Sequence, residues 1–200
     1  MDNHAINRRG MPIRALSRSG YWGFLMFCKH CSSTMQQCVP EQDTYERWVC
    51  STCGFIDYEN PKIITGVLPV LGDTILLCKR AIEPKKSLWT IPSGFMENHE
   101  TVEAGALREA YEEAGIQPCI QQLYCLYNLP HIGQVYLLYL ATLKSTHTNP
   151  GIETLATQFF KLDAIPWDEL AFSSVQFALK HYVADYLRGQ FQLHTGTLTD

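Results

Sequence analysis

Residues 94–116 read GFMENHETVEAGALREAYEEAGI. Apart from Gly105, the residues from Thr101 to Ala114 favour a helix, and Gly115 suits its end because glycine readily adopts the left-handed conformation. At about 100° per residue, three glutamates of this helix fall inside an arc of roughly 100°. The stretch therefore predicts a helix with two faces: an acidic face of Glu109, Glu112 and Glu113, and a core face of Leu107, Ala110, Tyr111 and Ala114.

The acidic face is compatible with two interpretations. On an exposed helix, like charges at this spacing cost only a few tenths of a kcal/mol per pair, so the glutamates would form a solvated surface. On a partly buried helix, charges about 6 Å apart repel by roughly 3 kcal/mol, and a bound divalent cation reverses that repulsion. Carboxylate oxygens are ligands that suit Mg²⁺ or Mn²⁺. Gly94 favours the second interpretation, because backbone without a side chain can approach a metal or a phosphate closely.

The order of these residues forms a recognisable motif. Gly94 is followed after five residues by Glu100, and after seven more by R-E-x-x-E-E-x-G, which begins at Arg108 and is closed by Ile116. This pattern resembles the Nudix box at every defining position. The resemblance implies an α/β/α sandwich that hydrolyses a nucleoside diphosphate linked to another moiety, with a metal-activated water attacking phosphorus.

The resemblance also implies roles for individual residues. Glu109, Glu112 and Glu113 correspond to ligands of the catalytic Mg²⁺ or Mn²⁺, with the Gly94 carbonyl as a further ligand. Glu109 is a candidate base, and Arg108 is grouped with the catalytic candidates because it can hold Glu112 from a position four residues away. Glu100 and Gly115 correspond to supporting members of the box. Glu153, in a later loop, corresponds to an additional metal ligand or base, or is a solvated loop acid.

A second motif lies upstream, where Cys28, Cys31, Cys50 and Cys53 form two CxxC pairs separated by eighteen residues. This spacing predicts a small four-cysteine zinc ribbon. Two disulfides or a redox dithiol are the alternatives. Four thiolates complete a tetrahedron around Zn²⁺, so the ribbon metal should be structural and take no part in hydrolysis.

The charge of the ribbon bears on its partners. Residues 26–60 contain two basic and five acidic residues, a net charge of minus three, whereas a ribbon that reads nucleic acid is normally basic. We therefore expect a structural or dimer-forming ribbon, with a homodimer as one hypothesis, and we do not expect nucleic acid as a partner.

Composition predicts a cytoplasmic enzyme with four segments. The chain has 200 residues, 46% of them hydrophobic, and a net charge of −4. No apolar run approaches the roughly twenty residues that cross a bilayer.

The chain is expected to divide into four segments. Residues 1–25 are predicted to be a disordered tail or a misassigned start, with a transit peptide as the alternative. The ribbon is expected over residues 26–60, the hydrolase domain over 61–190 and a C-terminal tail over 191–200.

Strand and helix signals in the predicted hydrolase domain agree with an α/β fold. Lys62–Leu71 and Thr74–Arg80, joined by Gly72-Asp73, predict a β-hairpin. Further strands are predicted at 88–91, 119–127, 134–143 and 157–162. A second helix is predicted over residues 173–188, with Ser173 as its N-cap and Gln176 as capping-box partner.

Segments beyond the box narrow the expected substrate. Residues 129–136, 151–153 and 165–172 resemble the zinc-ribbon branch that includes FAD and ADP-ribose pyrophosphatases. The signature SQPWPFP of NADH pyrophosphatases is absent. The resemblance thus implies FAD or ADP-ribose, with His131 and Tyr136 as substrate-contacting candidates. NADH or nucleoside triphosphate hydrolysis, RNA decapping and a non-catalytic nucleotide-sensing module are the alternatives.

Overall fold

The computed structural model describes residues 25–198, and the expectation for residues 1–24 therefore lies outside the described residues. The chain divides between Asn60 and Pro61 into two compact units. No helix in the described part of the chain is long and apolar enough to cross a bilayer.

The first unit is a small antiparallel sheet of three strands: β1 (Met35–Cys38), β2 (Arg47–Cys50) and β3 (Ile56–Asp57). Its core is built around buried Cys28, Met35 and Cys50. Two of these three residues are cysteines, so the apolar core is very small. A core of this size cannot stabilise the unit alone, and the unit therefore needs another source of stability.

The second unit is an eight-stranded mixed sheet with two helices. The main path of the sheet runs β10-β5-β4-β9-β8-β11, with β6 paired to β5 and β7 paired to β4. Its strands are β4 (Lys62–Leu71), β5 (Thr74–Arg80), β6 (Trp89–Thr90), β7 (Ser93–Phe95), β8 (Cys119–Leu129), β9 (Gln134–Thr142), β10 (Thr154–Lys161) and β11 (His194–Thr197). Its helices are α1 (Val102–Ala114) and α2 (Ser173–Arg188).

The helices cover opposite faces of the sheet, and this confirms the predicted α/β/α sandwich. Side chains alternate between faces along a strand. In β4, Val67 packs in the cluster that contains α1, whereas its neighbour Leu68 packs in the cluster that contains α2. In β5, Leu76 and Leu77 divide between the clusters in the same way.

The predicted hairpin is confirmed, and it begins the sheet. Leu71 pairs with Thr74 across a turn in which Gly72 has φ 60°, a conformation that costs glycine little. Strand β4, which precedes this turn, also pairs in parallel with β9 from Lys62 to Val70. It therefore lies near the centre of the sheet. Strand β7, which precedes α1, pairs with the same strand β4, so β4 joins β5 and β7 within one sheet.

The predicted core face of α1 is partly wrong. Leu107 and Tyr111 are exposed by 38% and 61%, and the helix packs instead through Ala106, Ala110 and Ala114. The short alanine side chains let the helix approach the sheet closely, so larger residues are displaced to the solvent side. This closeness also carries Glu109 into a buried position.

The predicted N-cap of α2 is wrong by one residue. Phe172 occupies the cap position with extended backbone, φ −135° and ψ 148°, and no side chain caps the helix. Ser173 is already the first helical residue, so its hydroxyl is not placed to accept from the next turn. The end of α2 agrees with the prediction, because Gly189 follows it with φ 68°.

Residues 191–200, which we expected to be a C-terminal tail, contain the strand β11. It pairs in parallel with β8 at the edge of the sheet, with His194 opposite Cys125 and Thr197 opposite Asn128. The His194 imidazole lies 2.7 Å from the carboxylate of Asp185 in α2, and the Tyr124 hydroxyl donates to the same oxygen at 2.9 Å. These bonds join the chain end to both a strand and a helix.

Candidate active site

The acidic face of α1 is organised by Arg108. Its Nε and Nη2 donate to the two oxygens of Glu100 at 3.1 and 2.8 Å, and its Nη1 donates to Glu109 at 2.6 Å and to Glu112 at 3.0 Å. A further Nη2 bond reaches the Phe95 carbonyl at 3.1 Å. A guanidinium has five N–H donors. The side chain of Arg108 therefore has all its donors engaged within the protein.

The glutamates of this face differ in environment. Burial raises the pKa of Glu109, and burial raises the pKa of Glu113 to about 8 even though the Ser93 amide donates to its carboxylate at 3.1 Å. The side chain of Glu112 is 55% exposed. Hydrogen bonds from Arg108 lower the pKa of Glu100 to about 2. Neighbouring buried carboxylates favour the binding of a positively charged group between them.

Gly94 has a clear steric reason to be glycine. A Cβ at this position would lie 2.5 Å from the carboxylate atoms of Glu109. Strand β7 holds Gly94 opposite Thr65 of β4, so the backbone cannot easily move away. The close approach brings the Gly94 backbone beside the carboxylate of Glu109, as the sequence suggested for a shared metal site.

The loop before β10 brings Glu153 to the same region. The Asn149 amide donates to the Ala114 carbonyl at 2.8 Å, and the Gly151 amide donates to the Glu113 carbonyl at 3.4 Å. Gly151 itself contacts the Glu112 carbonyl so closely that a side chain would clash. The loop is thus attached to the C-terminal end of α1, and Glu153 adds to the negative field that raises the pKa of Glu109 and Glu113.

These groups surround a cavity of about 1080 Å³. The predicted residues that line it are Gly94, Arg108, Glu109, Glu112, Glu113, His131, Tyr136 and Glu153. Two predicted members of the box lie behind it instead: Glu100 bonds to Arg108, and Gly115 ends α1 with φ 66°. The structure therefore brings the residues of the motif and those of three later segments into one site.

The sequence analysis missed several lining residues, among which Arg80 stands out. Its Nε donates to the Pro84 carbonyl at 2.9 Å, and its guanidinium carbon lies 5.0 Å from the ring centre of Phe172. Among residues 25–198, no other hydrogen bond from the Arg80 side chain is present, so both Nη groups are available. Lys85 also lines the cavity. The sequence feature that could have indicated these residues is a pair of basic dipeptides: Lys79-Arg80 at the end of a strand, and Lys85-Lys86 shortly after it.

The four cysteines of the ribbon form a separate cluster. Their Sγ atoms all lie within 4.8 Å of one another, with 3.6 Å between Cys28 and Cys53 and 3.4 Å between Cys31 and Cys50. All four are free thiols, so the structure does not support the two-disulfide alternative. A set of four sulfurs at these distances fits a tetrahedral Zn²⁺ site.

Together, the sandwich fold and its carboxylate-lined cavity define a hydrolase of phosphoanhydride bonds. The NUDIX domain family matches residues 60–180, and the Nudix N-terminal family of zinc ribbons matches residues 26–59. The chain belongs to the Nudix hydrolase family and carries the zinc ribbon of its ribbon-bearing members.

Known relatives agree with this assignment. A Nudix hydrolase of Nitrosomonas europaea has a crystal structure that superimposes with a TM-score of 0.84 at 43% identity, covering 87% of this chain and 99% of the other. The ADP-ribose pyrophosphatase of Methanocaldococcus jannaschii is 28% identical, over 66% of this chain and 76% of its own length. The NAD-capped RNA hydrolase NudC of Pseudomonas aeruginosa is 30% identical over 75% of this chain, which spans 53% of that protein.

Proposed function

We propose that this protein hydrolyses the diphosphate bond of an ADP-linked metabolite such as ADP-ribose or FAD, in a reaction that depends on a divalent metal. The observation that carries the proposal is the composition of one cavity, which is lined by three glutamates, by Gly94 and by Arg80, whose Nη groups make no hydrogen bond within residues 25–198. Carboxylates hold a metal, whereas a guanidinium binds phosphate oxygens.

The donor set, which consists of carboxylates and a backbone carbonyl, has the chemistry that hard divalent cations prefer. Glu109, Glu112, Glu113 and the Gly94 carbonyl would hold such a cation, and the raised pKa values of Glu109 and Glu113 reflect chiefly the cost of burying these carboxylates. When bound, Mg²⁺ or Mn²⁺ lowers the pKa of a coordinated water and neutralises charge on the phosphates.

Arg108 acts in this proposal as a positioning residue, although the sequence analysis grouped it with the catalytic residues. All five of its donors are used by the protein, so none remains for a phosphate. By bonding to Glu100, Glu109 and Glu112 at once, it holds the ligand carboxylates in place before a substrate arrives.

Glu153 is the better-placed proton acceptor of the two base candidates. Glu109 accepts a bond from Arg108 at 2.6 Å and is also a proposed ligand of the cation, so its oxygens are already engaged. In the part of the chain that the structure describes, Glu153 makes no side-chain hydrogen bond, and it lines the cavity from an exposed loop. Its oxygens are therefore free to accept a proton from the attacking water.

Arg80 supplies the phosphate contact in this proposal. Its bond to Pro84 and its packing against Phe172 fix the guanidinium plane, so little side-chain entropy is lost when a ligand binds. The two free Nη groups can donate in parallel to two non-bridging oxygens of a diphosphate.

The relatives support a substrate with two end groups. ADP-ribose and an NAD cap both contain ADP joined through its diphosphate to a second group, and these substrates are named for the relatives described above. A cavity of about 1080 Å³ exceeds what a single mononucleotide needs. FAD has the same architecture as these two substrates.

The test is product analysis with ADP-ribose, FAD, NADH and common nucleoside triphosphates in the presence of Mg²⁺. We expect cleavage of ADP-linked diphosphates to AMP and a second phosphate ester, with a higher kcat/KM than for any triphosphate. A triphosphate that ranks first would contradict the substrate class. Tight binding of ADP-ribose without turnover would instead support the nucleotide-sensing alternative.

We propose that Cys28, Cys31, Cys50 and Cys53 hold one structural Zn²⁺, on the basis of their clustered sulfurs. The expected cytoplasmic location, a homodimeric state and the lack of a nucleic-acid partner stay predictions.

A further inference from the structure

The residue that follows the C-terminal strand β11 contributes to the cavity although it lies beyond the residues that the NUDIX family matches. The NUDIX match ends at residue 180, whereas β11 covers His194–Thr197. The next residue, Leu198, lines the cavity. This chain therefore builds part of its cavity wall from a residue beyond those that the NUDIX family matches.

Several contacts fix the position of Leu198. Its amide donates to the Asn128 carbonyl at 3.0 Å, and the Asn128 side chain donates to the Gly196 carbonyl at 3.1 Å and to the Thr197 hydroxyl at 3.3 Å. A Cβ on Gly196 would lie 2.6 Å from the Phe177 ring, so the strand lies close against α2. The bond between His194 and Asp185 anchors the other end of the strand.

The corner of the cavity next to Leu198 has a distinct composition. Leu129 precedes the turn that holds His131 and Ile132, and Leu129 pairs with Gln134 across the strands β8 and β9. All of these line the cavity, and none of them is an acid, a lysine or an arginine. The corner thus combines apolar surface from Leu129, Ile132 and Leu198 with hydrogen-bonding groups from His131 and Gln134.

This corner is separated from the phosphate-binding side chain. Arg80 ends β5, and the sheet order places β4 and β9 between β5 and β8. At about 4.8 Å per strand, the distance from β5 to β8 is roughly 14 Å. A substrate whose diphosphate contacts Arg80 can therefore extend a more distant group into the corner.

We propose that Leu198 and its neighbours form a subsite for a heteroaromatic ring of the substrate, with β11 as a specificity element. An apolar surface edged by an imidazole and an amide suits a flat ring that carries hydrogen-bonding atoms along its edge. A phosphate group is less suited to this corner, because none of the corner residues named above is a lysine or an arginine that could pair with its charge. This inference rests on the proposed function, because it assigns one end of the same substrate.

The test compares Leu198→Asn with Leu193→Asn. Leu193 is 48% exposed, precedes β11 and does not line the cavity, so it is a matched control for the same chemical change. Binding of ADP-ribose, FAD, NADH and inorganic pyrophosphate is measured by calorimetry with Mg²⁺ in an E153Q background, which removes the proposed proton acceptor and keeps the proposed metal ligands. We expect L198N to weaken binding of the ring-bearing ligands by roughly five- to tenfold, because apolar contact is lost, and to leave pyrophosphate unchanged.

The ligand panel identifies the source of the ring. Equal weakening for all three dinucleotide-like ligands assigns the subsite to adenine, and weakening for FAD and NADH alone assigns it to the second ring; both outcomes support the proposal. L198N affinities that match those of L193N, weakening of pyrophosphate to the same extent, or no binding of any ring-bearing ligand to the parent protein would overturn it. If the wild-type protein cleaves none of these compounds but L198N still binds them more weakly, the proposed function fails and the subsite stands.

Discussion

At the scale of single residues, the site depends on how hydrogen-bond donors are divided between two arginines. Within residues 25–198, all five donors of Arg108 are engaged, whereas both Nη groups of Arg80 make no hydrogen bond. Both arginines line the cavity, yet only Arg80 has donors left to offer a ligand within the described residues. We therefore expect their roles to differ because of their partners and not because of residue type.

We expect Glu109→Gln and Glu112→Gln to lower kcat by at least roughly a hundredfold, because each removes a charge from the proposed metal site while keeping the side-chain shape. Glu103→Gln is the control, since Glu103 lies on the same helix but outside the cavity. Steady-state kinetics at saturating Mg²⁺ tests this, with circular dichroism to check the fold. Rates near wild type for both variants would refute the assignment.

Arg80→Gln should reduce kcat/KM for ADP-ribose by roughly 10- to 100-fold, the range for losing a charge-assisted hydrogen bond. Lys79→Gln removes the same charge from the same strand, and its ammonium lies 5.4 Å from the Trp89 ring centre and not in the cavity. Steady-state kinetics with ADP-ribose, measured for both variants under the same conditions, tests this expectation. Equal kcat/KM values for R80Q and K79Q would show that phosphate binding does not involve Arg80.

At the scale of elements, the sequence was informative where the signal is local. The hairpin turn at Gly72 and the glycines that end α1 and α2 follow from adjacent residues, and they were predicted correctly. The exposure of Tyr111 and the strand β11 were not, because they depend on partners far along the chain: the sheet under α1, and β8 beside β11.

In the candidate site, too, the residues within a continuous motif were predictable from the sequence, whereas residues brought in by distant parts of the chain were harder to predict. The carboxylates of the box were predictable from one continuous motif, and His131, Tyr136 and Glu153 do line the cavity with them. Arg80 and Leu198 were missed, because their positions in the cavity depend on strand order and register across the sheet. Short-range patterns carry no such information.

The junction of β8, α2 and β11 should make stability depend on pH. Burial alone would raise the pKa of Asp185, but bonds from His194 and Tyr124 outweigh it and hold the pKa below its ordinary value. A carboxyl whose folded pKa is lowered contributes stability above its unfolded pKa, near about 4, and loses that contribution as pH falls below it.

We therefore expect Asp185→Asn to destabilise the protein at pH 7 by roughly 1–3 kcal/mol, the range for disrupting a buried charged hydrogen bond. The difference from wild type should shrink as pH falls below about 4. Urea unfolding at several pH values measures both effects. A difference in unfolding free energy that stays constant across this range would contradict the role assigned to the Asp185 charge.

At the scale of the whole molecule, the two units obtain stability from different sources. The second unit contains two large apolar clusters on either side of its sheet, whereas the core of the first has three buried residues, Cys28, Met35 and Cys50, with Trp48, Cys53 and Phe55 packed against them. In so small a unit, the free energy of metal binding supplies much of the free energy of folding.

Cys50→Ser should therefore lose zinc and unfold the ribbon, while altering hydrolysis only indirectly. Cys119→Ser is the matched control, because Cys119 is an exposed free cysteine outside the cluster. Elemental analysis should find one zinc per wild-type and C119S chain and none in C50S. Wild-type protein without zinc, prepared in the absence of chelators, would disprove the ribbon assignment.

The saturated donors of Arg108 have a consequence for chemical labelling. Dicarbonyl reagents such as phenylglyoxal condense with guanidinium nitrogens, and nitrogens whose protons are all held by carboxylates and a carbonyl are poor targets. Arg108 should therefore be spared and Arg80 labelled, even though both lie in the same cavity. Peptide mass mapping after inactivation would locate the adduct on the peptide that contains Arg80, and bound ADP-ribose should protect that peptide.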